Sequence, residues 1–136
     1  MNYLLVIASL AMAGLCLMVA VSATGGGEQA GTVLAHDVFF TLTDSTPETR
    51  KALVDACETY LEGHEGAVFF AAGTRATEKT RDVNDTGFDV SLHLYFKDEA
   101  AHEAYQAHPR HKEFIEKMQD NWKTVRVFDS WVKASF

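Results

Sequence analysis

Cysteine is scarce in this chain, with Cys16 in an apolar N-terminal run and Cys57 alone in the rest of the 136 residues. The body after the N-terminal run therefore has no internal disulfide to form. Basic residues are also few, with 12 Lys and Arg against 19 Asp and Glu, which gives a formal net charge of -7. Because an acidic chain without a basic stripe repels phosphate backbones, nucleic acid is excluded from the expected partners.

Several familiar chemical motifs are missing. The sequence has no glycine-rich phosphate loop, dinucleotide fingerprint or serine-nucleophile elbow. His108 and His111 lie three residues apart, but Pro109 between them spoils a helical two-histidine platform, and no carboxylate spacing completes a set of metal ligands. The sequence therefore predicts neither a cofactor nor a metal site.

The first 23 residues differ in character from the rest. No charged side chain occurs between Tyr3 and Ala23, and small residues precede a possible cleavage point after Ala23. The run fits a cleaved signal peptide, but it is also close to the ~20 residues that span a bilayer, so an uncleaved membrane anchor stays open. Residues 24–31 are glycine-rich and predict a flexible linker. Both interpretations predict an exported domain that is periplasmic, secreted or held at the membrane by this segment alone.

Residues 32–136 predict one domain whose elements follow the order strand, helix, strand, strand, helix, strand. Pro47 suits the first turn of the first helix, and Asp98 caps the second helix, which Pro109 should break before it resumes to Asn121. This order is that of an α+β, ferredoxin-like βαββαβ fold with a four-stranded antiparallel sheet and its helices on one face. The predicted strands are Thr32–Thr43, Ala67–Thr74, Gly87–Lys97 and Trp122–Val132.

Alternation within the strands predicts which side chains face the helices. In the first strand His36 lies in a row with Leu34, Val38, Phe40 and Leu42, and in the third strand Phe88 begins a row that continues with Val90, Leu92, Leu94 and Phe96. Phe114, Ile115 and Met118 are expected to point inward from the last helix, and Cys57 to pack in the first. The opposite sheet face carries Phe39, Tyr95 and, by one assignment, Trp131, and a second copy of the sheet would cover these aromatic rings.

Five short motifs resemble the stress-responsive A/B barrel family, whose members are dimeric α+β barrels. They are the first strand around His36, Gly87-Phe88-Asp89, Phe96-Lys97-Asp98, Tyr105-Gln-Ala-His-Pro-Arg-His111 and Val127-Phe128-Asp129. The resemblance implies a homodimer with a pocket between each sheet and its helices. It also implies a site: Tyr105 and His111 match the catalytic pair of a plant polyketide cyclase of this family, and His36 matches its pocket histidine. The remaining residues expected to line the ligand pocket are Val38, Phe40, Leu92, Leu94, Phe114 and Trp122.

Three functions stay open on these residues. The favoured one is binding of a small apolar or aromatic molecule between sheet and helices. The second is a cofactor-free enzyme of cyclase or monooxygenase type, with His111 as general base and Tyr105 as hydrogen-bond donor to a developing oxyanion. The third is a structural stress protein in which Tyr105 and His111 only hydrogen-bond each other or the backbone. Asp129 is expected to fix a turn or a backbone amide.

Overall fold

The computed structural model describes residues 31–135. The predicted signal peptide or anchor, and all but the last residue of the predicted linker, lie outside the described residues. Within residues 31–135, no helix is long and apolar enough to cross a membrane.

The described chain folds in the predicted order of elements, with the second helical region divided into two helices. The four strands form one antiparallel sheet in the order β2-β3-β1-β4. The predicted α+β, ferredoxin-like fold is therefore confirmed. The elements are β1 (Val33–Leu42), α1 (Pro47–Leu61), β2 (Ala67–Thr74), β3 (Val90–Phe96), α2 (Glu99–Ala107), α3 (Pro109–Met118), a short 3-10 turn (Gln119–Asn121) and β4 (Trp122–Val132).

Side-chain caps fix the starts of the helices. The Thr46 side chain accepts a hydrogen bond from the backbone amide of Thr49, and the Thr49 hydroxyl in turn binds the Thr46 amide, while Pro47 occupies the first turn of α1. Asp98 caps α2 by accepting a hydrogen bond from the amide of Ala101 at 2.7 Å. These caps satisfy amide groups that have no partner inside the helix.

A single extended residue, His108, separates α2 from α3. Its amide donates to the carbonyl of Tyr105 at 3.0 Å, and its Nδ1 accepts from the amide of Arg110 at 3.1 Å. The next residue is Pro109, which disfavours a helical conformation for the residue before it. The predicted break is confirmed, but α3 does not continue to Asn121, because the chain tightens into the 3-10 turn after Met118.

The core lies between the sheet and the helices. Apart from Phe88, the helix-facing rows predicted for β1 and β3 are buried, with Leu53, Cys57 and Leu61 of α1 packed against them. Cys57 is fully buried, as the packing prediction requires.

Two side chains do not lie where strand alternation placed them. Phe88 precedes β3, which begins at Val90, and its ring packs edge-to-face on Phe39 of the opposite sheet face, with centroids 4.9 Å apart. The predicted strand start at Gly87 was therefore too early. Ile115 of α3, which was expected to point inward, is 40% exposed but lines a cavity between the helices and the sheet. Trp131 packs against the core on the helix side and not on the opposite face.

A register shift in β4 explains the position of Trp131. Leu42 pairs with Trp122, but Phe40 pairs with Val125, because the pairing is irregular between Thr41 and Leu42. A bulge of this kind reverses the alternation, since one strand gains a residue relative to its partner. After the bulge, the odd-numbered residues of β4 face the helices, and Trp131 pairs with the inward-facing Leu34.

Candidate functional site

A cavity of about 250 Å³ lies on the helix side of the sheet. Its walls come from β1, β3, β4 and all three helices, and most of them are apolar. The lining residues are His36, Val38, Phe40, Leu61, Leu92, Tyr105, Gln106, His111, Phe114, Ile115, Trp122, Val125 and Val127.

The structure brings together nearly all the residues that the sequence predicted for the site. Leu94 was predicted to line the pocket but does not line the cavity that the described residues form. Its side chain is fully buried in the core, where Leu94 pairs with Phe70 of β2. The other predicted residues, Tyr105 and His111 included, form the cavity wall. Their roles in binding or catalysis stay predictions.

Sequence reasoning missed several wall residues. Leu61 and Gln106 lie in helical patterns that mark a buried face without marking a cavity. Val125 and Val127 line the cavity only because the β4 bulge turns them toward the helices. No local signal in the sequence reports that bulge.

Tyr105, on α2, is surrounded by the imidazole rings of four histidines. It is 2% exposed, and its ring centroid lies 4.5 Å from that of His111, 5.0 Å from His64, 5.9 Å from His36 and 6.4 Å from His102. Burial raises the pKa of the Tyr105 hydroxyl above its ordinary value. The phenol is protonated near neutral pH, and its O–H can donate a hydrogen bond.

His111, at the start of α3, is in surroundings that favour its neutral form. Burial lowers its pKa, and the neighbouring His36 and His64 lower it further. Its Nδ1 lies 3.2 Å from the carbonyl oxygen of Gln106, which can only accept a hydrogen bond, so Nδ1 carries the proton. The lone pair of the neutral ring is then on Nε2, which leaves that nitrogen free to accept a proton.

His36 is oriented by a carboxylate. Its Nδ1 donates to Oδ1 of Asp129 at 2.6 Å, across the directly paired positions of β1 and β4. The prediction that Asp129 fixes a turn or a backbone amide was therefore wrong. Like His111, His36 directs its Nδ1 proton at an oxygen, and in the neutral ring the lone pair lies on Nε2.

His102, on α2, completes a cluster that sequence reasoning did not consider. Its ring centroid is 4.9 Å from that of His36, and burial lowers its pKa, as does the adjacent His36 ring. One ligand atom from each of His36, His102 and Asp129 lies within 4.8 Å of the others. His102 lies three residues before Tyr105, so both side chains are on one face of α2. This spacing was the only feature of the sequence that could have placed His102 near the site.

Cys57 packs in the buried core. Burial raises the pKa of its thiol to about 12, so the reactive thiolate is absent near neutral pH.

Comparison with known proteins places the chain among proteins of this architecture. A family model described as the stress responsive A/B barrel domain (Dabb) matches residues 34–132. A search of curated proteins found no match.

Solved structures with the same fold share little sequence with this chain. A dimeric ferredoxin-like protein of unknown function from Thermobifida fusca is 16% identical, with a TM-score of 0.63 over 76% of this chain and 93% of that one. A Dabb family protein from Mesorhizobium loti is 20% identical, with a TM-score of 0.61 over 73% and 95% of the two chains. A hydroxynitrile lyase from Passiflora edulis is 14% identical, with a TM-score of 0.61 over 78% and 98%. At these identities the likeness extends to the fold alone.

Proposed function

Because this chain belongs to the stress responsive A/B barrel domain family, we propose that it binds a small apolar or aromatic molecule with a carbonyl group between sheet and helices. The observation that carries the proposal is the cavity, onto which His36, Tyr105 and His111 converge. A mostly apolar pocket with a few convergent polar groups is the usual form of a small-molecule site.

The cavity suits a compact ligand. Its volume of about 250 Å³ is just below the ~300–1,000 Å³ that is typical of ligand pockets, so a molecule with one or two rings fits best. Phe40, Phe114 and Trp122 supply aromatic wall, with ring centroids 5.1–6.3 Å apart. The protonated Tyr105 hydroxyl supplies the donor that a carbonyl oxygen needs.

A cavity-filling substitution tests the location of binding. Val127, on the cavity wall, is 48% exposed, and Val83, in the loop before β3, is 83% exposed. Titration with acetophenone and larger aryl ketones, followed by tryptophan fluorescence, should show binding that Val127→Phe weakens at least tenfold. Val83→Phe adds the same side chain away from the cavity and should leave the affinity unchanged. Equal affinities in the two variants would place the ligand elsewhere.

A second variant tests the hydrogen bond to the carbonyl. Tyr105→Phe removes only the hydroxyl, and one hydrogen bond contributes about 0.5–1.5 kcal/mol, so the ketone affinity should fall roughly two- to tenfold. Ethylbenzene, which has the shape of acetophenone without the oxygen, should bind both proteins equally. If the variant loses affinity for both compounds alike, the hydroxyl acts through packing and not through the carbonyl.

Proton abstraction next to the carbonyl is the second candidate function, and the orientation of His111 favours it. Its Nε2 lone pair and the Tyr105 donor form an acid–base pair, and a hydroxynitrile lyase with the same fold supports the idea that such a barrel can be an enzyme. NMR in D₂O should then show protein-dependent deuterium exchange at the acetophenone methyl group. His111→Gln should abolish the exchange with the melting temperature kept within a few degrees. Exchange that persists in the variant would exclude His111 as the base.

We also propose that the protein is an exported homodimer. The dimeric neighbours and the aromatic outer face of the sheet support the dimer, and the uncharged run between Tyr3 and Ala23 supports export. N-terminal sequencing of protein from its host should find either a chain that begins at residue 24 or an intact membrane-bound chain. An intact chain in the cytoplasmic fraction would contradict export.

A further inference from the structure

Three elements that are distant in sequence bring metal-ligating side chains together beside the cavity. His36 comes from β1, His102 from α2 and Asp129 from β4. Their ligand atoms lie within 4.8 Å of one another, and His36 also forms part of the cavity wall. Two imidazoles and one carboxylate are a donor set that transition metals take in proteins.

We propose that His36, His102 and Asp129 bind one divalent transition metal ion of the Zn²⁺ or Fe²⁺ class. Three protein ligands leave at least one coordination position for water or for a ligand atom. This site goes beyond the proposed small-molecule binding and does not depend on it, because the metal alone can be tested.

The three side chains could reach the ligand spacing of a metal site by small side-chain movements alone. Zn–N distances of about 2.0–2.1 Å in a tetrahedron place ligand atoms roughly 3.3 Å apart. The pair His36 Nδ1 and Asp129 Oδ1, at 2.6 Å, is closer than this because it shares a proton, and the cluster as a whole spans up to 4.8 Å. The Asp129 side chain is 47% exposed, so it can rotate to admit an ion from solvent.

The local charges favour a cation. The carboxylates of Asp129, Glu103 and Glu99 all act on the His102 ring. A neutral imidazole offers one lone pair, so binding through His36 Nδ1 displaces the proton that this nitrogen shares with Asp129 to Nε2 or to solvent. A cation here replaces the His36–Asp129 hydrogen bond and lies near the carboxylates of Asp129, Glu103 and Glu99.

A purely structural cluster is the competing interpretation. His36 is satisfied by Asp129, and His102 lies 3.0 Å from the amide nitrogen of Gln106. These hydrogen bonds would hold the three elements together without an ion. Metal binding by the purified protein distinguishes the two interpretations.

The experiment is a titration of the full-length chain, purified without a polyhistidine tag, with Zn²⁺ by calorimetry and with Co²⁺ by visible absorption. The wild-type protein should bind one equivalent of Zn²⁺ with a Kd below about 10 μM. His102→Ala and Asp129→Asn should each weaken binding at least about 30-fold, since loss of even a ligand's hydrogen-bonding partner costs about 10–100-fold. Asp129→Asn keeps the side-chain shape at a half-exposed position, so it remains informative if His102→Ala does not fold.

Two histidine variants serve as controls. His93 pairs with Asp37 across β3 and β1, away from the cluster, and His108 lies beside His64, with ring centroids 4.6 Å apart. His93→Ala and His108→Ala should leave the stoichiometry and affinity unchanged. A wild-type protein that binds no Zn²⁺ at this affinity, or an Asp129→Asn variant that binds it as well as wild type does, would overturn the proposal. Loss of binding in His108→Ala alone would do the same, by assigning the ion to the His64–His108 pair.

Discussion

Tyr105 illustrates how the surroundings of one side chain set its chemistry. Its phenol is buried among four histidine rings, and this burial raises its pKa still further above neutral. The same burial lowers the pKa of His64, His102 and His111 and so favours their neutral forms. A protonated donor beside neutral bases is an arrangement that can bind or polarise a carbonyl group.

The buried histidines predict a loss of stability in acid. For His64 the cause is burial first, with His108 and Arg110 adding to it, so the pKa in the folded protein is below the unfolded value of about 6.5. The unfolded chain then binds more protons, and stability rises with pH wherever that holds. We expect the free energy of unfolding to be constant above about pH 7 and to fall as the pH drops below 6.5. Urea denaturation at a series of pH values measures this.

His64→Gln is the variant that isolates one contribution. His64 Nε2 lies 3.0 Å from the carbonyl oxygen of Tyr60, to which a glutamine amide can also donate. The variant should show a shallower decline between pH 7 and pH 5 than wild type, whatever its stability at pH 8, where the histidine is neutral in both states. Parallel curves for the two proteins would exclude His64 as a source of the acid sensitivity.

At the scale of elements, the short segments that join helices and strands set how the helices lie on the sheet. His108 allows α2 and α3 to meet with one intervening residue. The turn between α1 and β2 contains two glycines with positive φ, Gly63 at 74° and Gly66 at 81°. Gly66 also accepts a hydrogen bond from the amide of Lys97, which links this turn to the end of β3.

The two glycines give a matched pair of variants. A methyl group at Gly66 would lie 2.5 Å from the Cβ of Ala101 on α2, whereas one at Gly63 would meet nothing within 4 Å. Both alanines suffer the left-handed backbone penalty of about 1–2 kcal/mol. We expect Gly66→Ala to cost a further 1–3 kcal/mol or so, because overpacking at a fixed contact is destabilising. Denaturant melts compare the two, and equal losses would show that α2 moves away freely.

At the scale of the whole molecule, the sheet has two different faces. One face is covered by the helices and encloses the cavity. The other carries Phe39 between Phe88 and Phe128, with centroids 4.9 Å and 5.7 Å from them, and Phe128 is 52% exposed. An exposed aromatic patch of this kind is typical of a protein interface.

Phe128→Glu tests whether this face joins two copies. Burying a carboxylate at the centre of an apolar interface carries a large desolvation penalty, so the variant should be mainly monomeric where wild type is dimeric. Size-exclusion chromatography with light scattering on the full-length chain measures the mass. Val83→Glu introduces the same charge in an exposed loop and should remain dimeric. A wild-type protein that is monomeric at high concentration would refute the dimer itself.

The sequence alone determined the order of elements and most of the wall of the cavity. Alternation along β1 and β3 and the break at Pro109 are local properties, because propensity, capping and burial act within a few residues. The resemblance to a known family, carried by motifs around His36 and from Tyr105 to His111, pointed to three residues that line the cavity: His36, Tyr105 and His111.

Only the tertiary structure decided which side chains meet. The bulge between Thr41 and Leu42 set the faces of β4, and through them the inward position of Trp131. The pairing of His36 with Asp129 joins residues 93 positions apart, and His102 reaches them from a third element. Such contacts depend on strand register and helix placement, which result from the packing of the whole domain and leave no pattern in any short stretch of sequence.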